Sequence, residues 1–225
     1  MTTANSRTSL LPALLAVIFV AISTSAQSYK LDSSTAPAPA DLAAPVREAM
    51  SGNALAVTSA SGPRCEIWLV KSVAPVATPD TSPGANFGQI PLGALIGAIK
   101  FDAPGGDYRG QSIKPGVYTL RYMVQPSDAN HEGVSPYRDY LLAVPAALDS
   151  SAADVTRDDL LKLSRKAAGT DHPSVWSLVP ADGAPAALPA IAHQNTGDLW
   201  VIFFAAPLPA PLKMGLVIVG RAPEA

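Results

Sequence analysis

Between Gln125 and Asp139 the chain gathers its densest set of side chains able to do chemistry: Asp128, Asn130, His131, Glu132, Arg138 and Asp139, with Gly133 and Pro136 among them. Asp128, Asn130 and Glu132 alternate, a glycine follows, and Asp139 stands twelfth counting from Asp128. Alternating oxygen donors around a sharp glycine turn suit a hard divalent cation such as calcium. Asp128, Asn130, His131 and Asp139 are therefore the candidate metal ligands. The same residues permit acid–base work, with Asp128 or Asp139 orienting the His131 imidazole and Arg138 holding an anion.

The spacing is similar to the calcium loop of EF-hand proteins, with three departures. Glu132 occupies a place usually given to a shorter side chain, Asp139 replaces a bidentate Glu, and Pro136 constrains the second half. Strands rather than helices are also expected on either side. Copper is a second metal to weigh, because imidazole and soft sulfur suit it. His131, His172 and His193 together with Met123 or Cys65 would have to converge from separate segments, since no two histidines are locally spaced for ligation. The bland reading is a hairpin loop whose Asp and Asn side chains bond nearby backbone amides. No Gly-x-Ser-x-Gly elbow, His-Glu-x-x-His, phosphate-binding glycine loop or paired-cysteine zinc spacing occurs. No cofactor is expected beyond such a calcium or copper ion.

A second polar loop, Asp107-Tyr108-Arg109-Gly110-Gln111, meets the first if both hairpins point the same way. Asp107, Arg109 and Arg138 are accordingly the candidate ligand-binding residues. Trp68, Trp176 and Trp200 lie within apolar stretches and read as core, not as a stacking platform for a sugar.

The elements that must position these loops are mostly strands. Ala54 to Thr58 and Cys65 to Val73 flank the turn residues Ser61-Gly62-Pro63, predicting a hairpin. Leu92 to Phe101 is apolar with two glycines, which predicts a buried strand with a bulge or a close backbone approach. In Val117 to Val124, Tyr118, Leu120, Tyr122 and Val124 share the face expected to meet the core. Tyr137 to Val144 is its antiparallel return. Ser174 to Val179, Leu199 to Ala205 and Lys213 to Val219 are further strands, the last two apolar enough to be covered on both sides. Two helices are expected. Pro45 opens a short one ending near Gly52. Thr156 caps a longer one, with Asp159 completing a capping-box-like pair, Leu160, Leu163 and Ala167 on its apolar stripe, and Gly169 at its end.

The first 26 residues read as an export signal. Arg7 precedes the apolar run Leu10 to Ile22, and Ser23-Thr24-Ser25-Ala26 offers small residues for cleavage. The run is shorter than the roughly 20 residues of a membrane span, so no span is expected after cleavage. Location is then periplasmic or secreted. Residues 27–45, rich in Ala and Pro, read as a flexible linker, and residues 46–225 as one domain. Past the signal, 15 basic residues face 18 acidic ones, which gives no basic footprint for nucleic acid. A lone Cys65 excludes an intrachain disulfide, so packing must hold the domain. Buried small hydrophobe is its expected role.

The run Ile113-Lys114-Pro115-Gly116-Val117-Tyr118-Thr119-Leu120 resembles the Pro-Gly-x-Tyr-x-Leu turn and strand of exported bacterial β-sandwich modules, prealbumin-like and Ig-like. That resemblance implies a fold and a compartment, and brings no catalytic residue with it. The fold class expected is therefore mainly β, a single antiparallel β-sandwich with one or two short helices. The function expected is non-catalytic binding of an extracytoplasmic protein, carbohydrate or small ligand through loops 104–112 and 126–138. The alternative is a metal-dependent protein or hydrolase centred on the 126–139 loop.

Overall fold

The computed structural model describes residues 28–128 and 135–222. Asn130 and His131 lie outside the described residues, as does the expected signal segment 1–26.

Ten strands form one antiparallel sheet. In chain order they are β1 (Tyr29–Ser34), β2 (Met50–Ser59), β3 (Gly62–Val70), β4 (Leu95–Phe101), β7 (Gly116–Val124), β8 (Asp139–Pro145), β9 (Val175–Pro180), β10 (Ala190–Gln194), β11 (Leu199–Ala206) and β12 (Leu212–Val219). A two-residue ribbon, β5 (Gly105–Gly106) with β6 (Ser112–Ile113), sits apart from it. The hydrogen-bonded order is β1-β2-β3-β4-β7-β8-β9-β12-β11-β10. Its two ends approach each other, with the Tyr29 ring of β1 standing edge-on to Trp200 of β11 at 5.1 Å. The sheet thus curls into a nearly closed barrel.

The expectation of a mainly β, antiparallel chain with helices holds, and the ten strands form a nearly closed barrel that is not clearly a two-layered sandwich. The physical reason lies in what covers the outer face. Tyr118, Leu120, Tyr122 and Val124 of β7 point into the main core, as their alternation predicts, alongside Trp68, Trp176, Leu178, Ile202 and Phe204. The opposite face of the same strands is also apolar, because Met123, Tyr140, Leu142 and Val144 pack under helix α2 (Arg157–Ala168). Further along, Val179, Val201, Phe203 and Val217 are covered by Tyr108 and by the connection containing Ala181, Ala184 and Leu188. A helix and loops supply the outer layer that a second sheet would supply in a sandwich.

The Ala/Pro-rich stretch is not a free linker. Tyr29 to Ser34 pairs with β2 from Tyr29↔Ser59 to Ser34↔Ala54. Trp68 Nε1 donates to the Ala36 carbonyl at 2.9 Å. Leu42 and Val46 are buried, the latter on the short helix α1 (Ala44–Ala49), which has proline in its first turn. Composition hid an extended segment whose prolines sit outside the ladder, where a missing N–H harms nothing.

Gly97 shows why β4 carries a glycine: an added Cβ would stand 2.4 Å from the Trp68 carbonyl, and the register with β7 shifts between Leu95 and Gly97. Both the close approach and the bulge are present. Helix α2 matches its sequence signals, with Thr156 Oγ1 accepting from Asp159 N at 3.4 Å and Gly169 closing it at φ 67°. Leu160 and Ala167 are buried beneath it.

Beside Met123, the outer face of β7 buries a charge. Arg121 is 0 % exposed and meets Asp149 twice, Nε to Oδ2 at 2.6 Å and Nη2 to Oδ1 at 2.8 Å. Its other hydrogens go to the carbonyls of Gly93, Ala153 and Ser151. Thr119 adds a hydrogen bond to Asp149 Oδ2. The guanidinium is saturated, which is the condition for burying one. This cluster ties the segment leading into α2 to the sheet.

Candidate functional site

The two polar loops singled out in the sequence do meet. With α2 and the segment after it they line one cleft of about 310 Å³, at the lower end of the size range of small-ligand sites. Its floor is the outer face of β8 and β9, where Tyr140 stands opposite Ser177 and Leu142 opposite Val175. Strand alternation turns Trp176 and Leu178 inward to the core and leaves Val175 and Ser177 facing out.

Asp107 builds one wall. It is 3 % exposed, and its carboxylate accepts the N–H groups of Arg109 at 3.0 Å and Gln111 at 2.8 Å, the Gln111 side chain at 2.8 Å and the Val175 N–H at 3.0 Å. Tyr108 N–H donates to the Val175 carbonyl at 2.8 Å. Burial pushes the Asp107 carboxyl above its usual value, against the pull of the hydrogen bonds it accepts from Val175, Gln111 and Arg109. Asp107 thus shapes the turn and docks it to β9; it is not a group that reaches for a ligand. Its neighbours Tyr108 and Arg109 line the cleft. Burial raises the Tyr108 phenol above its ordinary value, so it remains a neutral hydroxyl.

Arg138 holds the neck of the β7–β8 hairpin. Its Nε donates to the Gln125 carbonyl at 2.8 Å, and Nη1 to Ser82 Oγ at 3.0 Å and the Pro83 carbonyl at 2.8 Å. The backbone joins in, with Arg138 N–H on the Gly84 carbonyl at 3.1 Å. Its donors are turned to the 82–84 loop, and Arg138 does not line the cleft.

Asp139 is fully buried and saturated in the same way. Oδ2 accepts Asn86 N at 2.7 Å and Asn86 Nδ2 at 3.1 Å, while Oδ1 accepts Phe87 N at 3.2 Å and the Tyr122 hydroxyl at 2.6 Å. The burial of Tyr122, reinforced by this carboxylate, raises its phenol far above the ordinary value, so the hydroxyl stays a donor. Four donors leave the carboxylate no lone pair directed at a cation. Asp128 is exposed and has an interaction of its own. Among the described residues no group of three His, Cys, Asp or Glu side chains is placed to hold a metal ion.

The remaining histidines are separate. His172 lines the cleft, whereas His193 Nε2 lies 2.6 Å from Asp198 Oδ1 on the β10–β11 hairpin. Cys65 and Met123 belong to different packed clusters. The copper grouping therefore does not come together among the described residues. Trp68 and Trp176 are 1 % exposed, as core residues should be, and Trp200 is half-buried against Tyr29 and His193.

Sequence reasoning missed the helix's contribution. Arg157, Leu161 and Arg165 line the cleft. Four-residue spacing sets them within about 80° of one another around the helix, away from the stripe of Leu160 and Ala167. The signal was present in Leu161, a leucine one position off the buried stripe on an otherwise charged face. Comparison with family models, with curated proteins and with solved structures yields no match for this chain.

Proposed function

We propose that the chain is an exported, non-catalytic binding protein whose small ligand seats in the cleft between α2 and the Asp107 turn. The observation that carries this reading is the convergence on one concavity of four segments: the 107–111 turn, the hairpin neck, α2 and residues 171–173. Part-buried hydrogen bonds hold the turn, the hairpin neck and Pro173, and buried Ser164–Ser174 bonds hold α2, so the walls are formed before any ligand arrives. The lining is mixed, with aromatic and aliphatic surface beside a few polar groups, as small-molecule sites are.

Export rests on the Arg7, Leu10–Ile22 and Ala26 signals, and on the Pro-Gly-x-Tyr-x-Leu likeness at Pro115 to Leu120. Cleavage after Ala26 leaves two residues ahead of β1, whose first residue is Tyr29. The described helices include none long and apolar enough to cross a membrane.

The test is extraction of protein purified from its own compartment, followed by mass spectrometry of what denaturation releases. A small molecule near one per chain in the wild type, absent from Leu161→Trp at unchanged unfolding temperature, supports the reading. A wild-type chain that releases nothing, or a variant that releases the same molecule, contradicts it. Amino-terminal sequencing of the same preparation tests export, with Gln27 as the expected first residue.

A further inference from the structure

The charge lining the cleft says what class of ligand it takes. Arg157 and Arg165 face it from α2 and Arg109 from the turn, all three exposed. Among the described residues their guanidinium groups make no ion pair and no hydrogen bond, in contrast to Arg121 and Arg138, whose donors are engaged. The acids of the helix's first turn, Asp158 and Asp159, are left off the cleft. Two acids do line it. Asp139 has its oxygens engaged by four neutral donors from Asn86, Phe87 and Tyr122, and Asp171 shares with Arg165 a neighbouring groove at the end of the helix. Arg157 and Arg109 share no such groove with an acid, and of the two it is Arg157 whose charge bears on the buried Tyr140 phenol of the floor.

Apolar surface lies beside it. Leu161 follows Arg157 by one helical turn, and Tyr137, Tyr140 and Val175 complete a patch of ring-sized extent. A guanidinium against an apolar platform is a receptor for an oxyanion attached to a hydrophobic body, since the fork matches carboxylate or phosphate oxygens pairwise. Arg165 lies two turns further along, about 12 Å at 1.5 Å per residue, and has Asp171 beside it in the neighbouring groove, so Arg157 is the cation assigned to the oxyanion.

We infer that the cleft, on the binding reading above, takes a small organic oxyanion, a carboxylate or phosphate monoester on a ring-bearing body, with Arg157 pairing the oxyanion and Leu161 and Tyr140 against the body. A nearby unpaired cation also makes the affinity fall with salt.

The probes are phenylacetate, phenyl phosphate, the neutral phenylacetamide and inorganic phosphate, titrated by calorimetry into the processed protein. One or both ring-bearing anions bind at least about tenfold more tightly than the amide, the gain expected of a charge-assisted pair. Inorganic phosphate binds more weakly than the ring-bearing anions, and which anion is tighter separates carboxylate from phosphate. Arg157→Gln removes the preference for anion over amide at an unchanged unfolding temperature. Amide and acid binding equally, with both abolished in Leu161→Trp, would overturn the anion inference while leaving the cleft as a binding site. Failure of every ring-bearing anion to bind, or an unchanged preference in Arg157→Gln, would also overturn it. The extraction experiment decides the binding reading independently.

Discussion

Asp107 and Val175 lie 68 residues apart and are joined by the Val175 N–H donating to the Asp107 carboxylate at 3.0 Å, while the neighbouring Tyr108 N–H donates to the Val175 carbonyl at 2.8 Å. A side-chain oxygen here stands in for a strand's backbone carbonyl. The turn therefore docks on β9 as if it were a short strand, and Tyr108 and Arg109 are carried to the cleft by that docking.

Asp107→Ala should then destabilise the fold. It strips acceptors from the N–H groups of Arg109, Gln111 and Val175, and unsatisfied buried donors cost about 1–3 kcal/mol each. A loss of about 3 kcal/mol in urea unfolding is expected. Asp107→Asn, which keeps one acceptor oxygen, should lose less. Equal stability of Asp107→Ala and wild type would show that the turn is not held this way.

Asp139 gives a related prediction that separates staple from ligand. Asp139→Ala should lower stability by about 3 kcal/mol, because Tyr122, Asn86 and Phe87 lose their acceptor. Chelator treatment of the wild type should leave the unfolding temperature where it was. A chelator-induced drop that is absent from Asp139→Ala would return this carboxylate to the role of metal ligand.

The Arg121–Asp149 pair is the third test. Removing one partner of a buried pair costs about 3–5 kcal/mol, because the other charge is stranded. Arg121→Met and Asp149→Leu should each do so, and the double variant should be more stable than the two losses added together. Full recovery is not expected, since the carbonyls of Gly93, Ser151 and Ala153 also lose their donors. Strict additivity would mean that the pair is uncoupled.

Cys65 contributes to the loss of stability in alkali. Burial pushes its thiol from about 9 to about 12. Between those values the folded chain keeps a proton that the unfolded chain releases, so rising pH favours unfolding. The contribution is intact below about pH 9 and is lost on the way to 12; Tyr140, raised by burial from 10.0 to about 12, acts in the same direction. Cys65→Val should flatten the decline of stability above pH 9. Iodoacetamide at pH 8 should modify Cys65 slowly in the native protein and rapidly in urea. Equal rates would place the thiol at the surface.

These residues also show what could be read from the chain alone. The β7 alternation, the glycine at position 97 and the Thr156 cap are local signals, and each appears where local rules put it. The sheet's closure was not legible, because an apolar outer face looks alike under a helix and under a second sheet. Strand β1 was hidden by its Ala/Pro neighbours. Asp107, Arg138 and Asp139 were recognisable as important polar residues, but not as staples. Donors such as the amides of Asn86, Phe87 and Val175 carry no mark in the sequence. Arg157 and Arg165 carry no mark in the sequence until the fold sets Leu161 between them in a cleft.

The most direct measurement is the affinity of wild type and Leu161→Trp for one ring-bearing acid, phenylacetate or phenyl phosphate, by titration calorimetry. One site per chain in the wild type and none in the variant, with both unfolding at the same temperature, is the predicted result. Undiminished binding by Leu161→Trp would place the ligand elsewhere and contradict the account.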